Sequence, residues 1–193
     1  MIPVNLISGF LGVGKTTAIR HLLEHHPQDE QWAVLVNEFG EVGVDGALLA
    51  DDEVIVQEVA GGCLCCVAAP AFTTGLNRLI RQHRPQRILI EPSGLGHPAQ
   101  VLDTLNGPLY QSVLETRATL CLMDARHLAS PRHREHPNFQ DQIHLADVLI
   151  ANKRDCYTTE DFAAFEHFAA ALRPAKKKLA CVSHGHVDTA WLD

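Results

Sequence analysis

The run Gly9-Phe-Leu-Gly-Val-Gly-Lys-Thr16 constrains this chain more than any other feature. It fits the pattern G-x-x-x-x-G-K-[ST]. It stands between an apolar run, Ile2 to Ser8, and a stretch of helical spacing from Thr16 to His26. Glycines let a backbone turn tightly enough for several N–H groups to face one anion. The helix that follows aims the positive end of its dipole at the same place. Strand, loop and helix in that order make a phosphate-binding unit. Gly12, Val13 and Gly14 belong to its cradle, Lys15 is placed to reach β- and γ-phosphates, and Thr16 to hold Mg2+.

The rest of the chain repeats the alternation. Trp32 to Val36, Arg87 to Ile90, Ala118 to Met123, Val148 to Ala151 and Leu179 to Val182 are short apolar runs, and Val54 to Val56 is a weaker one. Phe72 to His83 and Asp161 to Leu172 carry apolar residues at helical spacing, the second closed by Pro174. Such alternation predicts βαβ units: an α/β fold with a mainly parallel sheet and helices on both faces. Ligands of such sheets bind beyond the carboxyl ends of the strands. Each chemical motif here directly follows an apolar run. The stretch Ala129 to Asn138 reads as a loop excursion. A length of 193 residues suits one domain over 1–193, and no internal repeat divides it.

Asn152-Lys-Arg-Asp155 speaks to the base. A carboxylate only accepts, so Asp155 can take both N1–H and the amino group of guanine. Adenine lacks that donor pair and would leave the carboxylate unpaired. Lys153 would lie over the base, Asn152 would brace the phosphate loop, and Ser183 and His184 could meet the base from the other side. Glu91-Pro-Ser-Gly94 ends another strand. Its carboxylate can hold Mg2+ through water or orient the attacking water, and Gly94 can sense the γ-phosphate. Capping the next helix is the competing use of Glu91. Asn37 to Gly46 adds glycines and three acids, Glu38, Glu41 and Asp45, suited to a segment ordered by γ-phosphate and Mg2+. Lys15, Glu38, Asp45 and Glu91 are therefore the candidates for hydrolysis. No arginine finger stands out.

Gly61-Gly-Cys63-Leu-Cys65-Cys66 is the unusual feature. A disulfide between neighbours is strained. Three thiols on a glycine-hinged loop suit a borderline cation such as Zn2+ instead. Glu41 or an imidazole such as His97 could complete the set. Cys121, Cys156 and Cys181 lie on or near strands and read as core or incidental. Of the 12 histidines, the close pairs His21/His25, His133/His136 and His184/His186 could bind a metal adventitiously, but they read as solvated surface residues because no carboxylate or cysteine pattern closes a site around them. The net charge of −7 argues against binding nucleic acid through its phosphates. No apolar run approaches the roughly 20 residues that span a bilayer. Nothing at the N-terminus reads as a signal peptide, so the expected compartment is the reducing cytosol.

GFLGVGKTT, NEFGEVGVD, GGCLCC, LIEPSGLGHP and ANKRD, in this order, resemble the CobW-type GTPases, a metal-handling branch of the P-loop (SIMIBI-type) GTPases. NEFGEVGVDGALL, RATLCLMDAR and the closing SHGHVD are similar to the YeiR-like zinc-binding subgroup in particular. The resemblance implies a GTPase that delivers a divalent metal, zinc ahead of cobalt or nickel, to client metalloproteins. It implies Lys15, Thr16 and Thr17 for the phosphates, Asn152, Lys153 and Asp155 for guanine, Cys63, Cys65 and Cys66 as the metal motif, and Glu41 near it. A homodimer across the nucleotide is a further implication. Several relatives carry an acid where this chain has Val36. Relatives also continue into a smaller C-terminal domain. The expectation for 1–193 is the GTPase domain without that part, either shortened or standing alone.

Overall fold

The computed structural model describes residues 1–36, 54–58, 70–92, 94 and 97–193. Its strands are β1 (Ile2–Gly9), β2 (Trp32–Val36), β3 (Val54–Glu58), β4 (Arg87–Glu91), β5 (Leu114–Thr116), β6 (Leu120–Met123), β7 (Val148–Ala151) and β8 (Lys178–Cys181). They form one sheet in the order β3-β2-β4-β1-β6-β7-β8, with β5 also on β1. Every pairing is parallel. The helices are α1 (Lys15–Glu24), α2 (Pro70–His83), α3 (Pro98–Leu105), α4 (Pro131–Arg134), α5 (Pro137–Leu145) and α6 (Thr159–Ala171).

Alternation along each strand sorts side chains to two faces. Ile7, Val34, Val36 and Leu89 join Ala18, Ile19, Leu22 and Leu23 of α1, with Val187 and Leu192. Leu6, Ala33, Leu35, Ile88 and Ile90 join Phe72, Leu76 and Leu79 of α2 and Val101 and Leu105 of α3. Further along the sheet, Met123 and Leu149 meet Phe139 and Ile143 of α5 and Phe165 of α6. Helices thus cover both faces, and the α/β class expected from the sequence is the one observed. Central β1 has β4 on one side and β6 on the other. The chain reverses its direction of travel across the sheet there, which opens a crevice at the carboxyl end of β1.

Local chemistry moved several boundaries. Helix α6 starts at Thr159, before the expected Asp161, because Thr158 and Asp161 form a reciprocal capping box. The strand expected from Ala118 begins at Leu120: the Ala118 N–H donates to the Leu192 carbonyl at 3.3 Å and the Thr119 N–H to Asp147 at 2.9 Å. The stretch from 129 to 138 is not a plain loop. It holds α4 and the start of α5, each opened by a proline at its first position, where the missing N–H costs nothing. Among the described residues no helix is long and apolar enough to cross a membrane.

Candidate functional site

Helix α1 begins at Lys15 because Gly14 ends the loop with φ +96°. That left-handed value favours glycine. A Cβ on Gly14 would also come within 2.5 Å of Asn152 Nδ2. As N-cap, Gly14 makes no side-chain hydrogen bond to the helix, so the first N–H groups of α1 face the crevice at the end of β1. An anion is their natural partner.

Three predicted side chains meet there. Lys15 is 8% exposed and Glu91, at the end of β4, 4% exposed. The Thr16 hydroxyl donates to the Glu91 carboxylate at 3.3 and 3.4 Å to its two oxygens, and Lys15 Nζ lies 3.9 Å from Oε1. Lys15 also donates to the Phe10 carbonyl at 3.4 Å. Glu91 does not cap the next helix, whose N-cap is His97. Gly94 lies under Leu11 of the loop, and its carbonyl accepts from buried Gln142 at 3.0 Å. Thr17 is exposed on the first turn.

The other end of the site is built on β7. Asn152 is 2% exposed, and its Nδ2 donates to the Val13 carbonyl at 2.9 Å. Its Oδ1 accepts from the Gly185 N–H at 3.0 Å. One side chain therefore ties the phosphate loop to the segment after β8. Gly185 has φ +68°, and a Cβ there would come within 2.7 Å of Ala18 N and 2.9 Å of Thr17 C. Only glycine lets this segment rest on the first turn of α1. Asp155 is exposed, and its carboxyl lies below the ordinary range, first through its own backbone N–H, then the Cys156 thiol, with Ser183 and His184 adding to the effect. Ser183 and His184 thus stand beside Asp155.

Sequence reasoning missed the residues that hold this loop. Asp124, 1% exposed after β6, takes Arg126 at 2.7 Å and Lys153 at 3.6 Å. Burial opposes its charge, but the Arg126 hydrogen bonds outweigh it and lower the carboxyl pKa. The Tyr157 hydroxyl donates to the Asn152 carbonyl and accepts from the Ala125 N–H at 2.8 Å. The sequence signal for Asp124 was its place directly after an apolar run, as for Glu91 and Asn152.

The remaining cysteines and histidines divide. Cys156 is exposed, the incidental one of its two expected readings, and its thiol donates to Asp155 at 3.4 Å. Cys121 is buried, and burial pushes its thiol up to about 12. His133 and His136 are not simply solvated: both rings pack edge-on against Phe10, at 5.9 and 5.2 Å. His97 Nδ1 lies 3.7 Å from Asp141. Glu38, Glu41, Asp45, Cys63, Cys65 and Cys66 lie outside the described residues.

A parallel sheet with a glycine-rich loop at its central strand and Lys-Thr opening the next helix defines a P-loop nucleotide-binding domain. The chain belongs to the CobW/HypB/UreG nucleotide-binding domain family, whose model matches residues 3–180. It is 49% identical over 193 residues to the zinc chaperone YeiR of Escherichia coli K12, covering 100% of this chain and 58% of that protein. It is 31% identical over 217 residues to the zinc chaperone CobW of Pseudomonas aeruginosa, covering 96% of this chain and again 58% of the relative. The chain therefore spans little more than half the length of these curated relatives. Among solved structures, the Zn(II)-bound YjiA GTPase from E. coli superposes with a TM-score of 0.68 at 26% identity, covering 100% of this chain and 61% of that one.

Proposed function

We propose that residues 1–193 are the GTP-binding and GTP-hydrolysing domain of a cytosolic zinc chaperone. In this reading the chain holds a divalent metal on Cys63, Cys65 and Cys66, with Glu41 beside them, and GTP hydrolysis gates its transfer to a client metalloprotein. The observation that carries the reading is Asn152, which joins the phosphate loop, the Asp155 loop and the Gly185 segment in one buried bridge. The relatives named above as zinc chaperones, and the zinc-bound YjiA GTPase, support the metal. Cobalt and nickel are the alternatives.

Each described residue then has a task. The N–H groups of the first turn of α1 bind phosphate oxygens. Lys15 leaves Glu91 and the Phe10 carbonyl for the β- and γ-phosphates. Asp155, held ionised, accepts from the guanine edge. Thr16 and Glu91 bring a hydroxyl and a carboxylate to one spot, the hard oxygen set that suits Mg2+. An Mg2+ ion held by these two side chains would supply positive charge to offset the charge that develops on the phosphates during hydrolysis. Glu91 orients water or the ion's shell, and Glu38 and Asp45 are assigned to the same hydrolytic step. If GTP and metal favour one conformation, each tightens the other, and hydrolysis releases the metal. A homodimer across the nucleotide fits this scheme.

The test is GTP turnover with and without Zn2+ in the wild type and in Cys65→Ala. The reading expects stimulation by Zn2+ that Cys65→Ala abolishes. Equal rates in all four conditions contradict the coupling. Nucleotide-dependent metal affinity without phosphate release would instead mark a metal-sensing module.

A further inference from the structure

His21 in the last turn of α1 and His25 at its C-cap place two imidazoles four residues apart. His21 and His25 stack with ring centroids 4.1 Å apart and planes 23° from parallel. His186, after β8, also stacks on His21, at 4.7 Å. Both of these rings turn Nδ1 toward a backbone carbonyl: His21 to Val187 at 3.1 Å, and His25 to His21 at 2.8 Å. A carbonyl only accepts, so these contacts place the proton on Nδ1 and leave the Nε2 lone pair free. That is the tautomer a metal ligand needs, and a carbonyl on the second nitrogen is the usual support for one. The negative end of the α1 dipole lies at this turn and favours a cation.

We propose that His21 and His25 form a second metal site, separate from the cysteine loop, for a borderline divalent cation such as Zn2+, Ni2+ or Cu2+. Imidazole nitrogen suits these ions and not Mg2+. Among the described residues no three metal-binding side chains already converge on one point. The site is therefore an open two-imidazole chelate completed by water, with His186 as the adjacent third ring. The rings fan toward the ion by rotation about χ2, a soft torsion. Filling the site pins α1 to the segment 183–187 through Val187 and His186. That segment already rests on Thr17 and Ala18 and bonds Asn152. Metal here stiffens the wall beside Asp155. The existence of the site does not rest on the proposed GTP chemistry.

The experiment is calorimetric titration with Zn2+ alone of the chain carrying Cys63→Ser, Cys65→Ser and Cys66→Ser, which removes the cysteine loop as a ligand. The expected result is one saturable Zn2+ per chain. His25→Gln, at an exposed ring, weakens it at least about tenfold. His186→Gln weakens it about threefold, and His83→Gln, on α2, leaves it unchanged. Metal-free thermal unfolding of His25→Gln should match the parent, which separates ligand loss from unfolding. Undiminished binding after joint His21→Gln and His25→Gln, or no saturable binding in the cysteine-free parent, overturns the proposal.

Discussion

Replacing Asn152 with alanine tests the bridge at the centre of the site. The side chain is 2% exposed and makes two hydrogen bonds, to the Val13 carbonyl at 2.9 Å and from the Gly185 N–H at 3.0 Å. Asn152→Ala removes both partners' partner and orphans two buried backbone groups. A buried polar group left without a hydrogen bond costs about 1–3 kcal/mol. Two of them, partly relaxed, cost about 2–4 kcal/mol. For a domain of this size each kcal/mol lowers Tm by roughly 2–4 °C, so the loss is roughly 4–16 °C. Differential scanning calorimetry of the nucleotide-free chain reads it directly. GDP affinity should fall as well, because the phosphate loop and the Gly185 segment lose their common anchor. A Tm within about 2 °C of the parent would refute the reasoning, since it would mean the two groups find other partners at no cost.

Gly185→Ala should destabilise by about 2–4 kcal/mol in urea unfolding, because alanine is strained at φ +68° and its Cβ strikes the backbone of α1. Asp155→Asn should lower GDP affinity roughly a hundredfold while xanthosine diphosphate gains, because an amide can accept from N1–H and donate to the xanthine 2-oxygen; competition binding measures both. The Asp155 carboxyl is lowered from its ordinary 3.8, so its contribution is present above that value and is lost only as pH falls through the lower folded value; GDP binding should be insensitive to Asp155 titration above about pH 5. Burial first, with His133, Lys153 and Arg126, outweighs Asp124 and holds His127 below its ordinary 6.5. The folded state then binds fewer protons than the unfolded one, stability falls as pH drops below 6.5, and His127→Gln should flatten that slope in urea titrations at pH 7 and 5.5.

The parts of the site that are contiguous in sequence were legible, and most of the contacts joined through space were not. Gly9 to Thr16 and Asn152 to Asp155 could be read because each places its chemistry within a few residues at a strand end. The brace from Asn152 to the phosphate loop, 139 positions away at Val13, was expected from that motif, but its second bond to Gly185, 33 positions on, has no local pattern to announce it. Asp124 and Tyr157 escaped for the same reason: each acts by holding another residue. The sheet was legible because buried parallel strands are apolar on both faces. Strand β5 has three residues and α3 has eight, too few for a periodic signal to rise above chance. The polar run from 129 to 138 hid two helix starts, because proline there reads as a breaker unless it is placed at the first helical position. The stacking of His21 on His25 follows from their spacing of four, but His186 joins them only once β8 returns beside β7.

The proposed function requires reciprocity between nucleotide and metal. The direct measurement is Zn2+ affinity of the chain with His21→Gln and His25→Gln, which leaves the cysteine loop as the remaining proposed site, determined once with GDP and once with a non-hydrolysable GTP analogue. Coupled sites bind one Zn2+ at least about fivefold more tightly with the GTP analogue than with GDP, and Zn2+ raises the preference for the GTP analogue over GDP by the same factor. Equal Zn2+ affinity in the two nucleotide states would contradict the coupling.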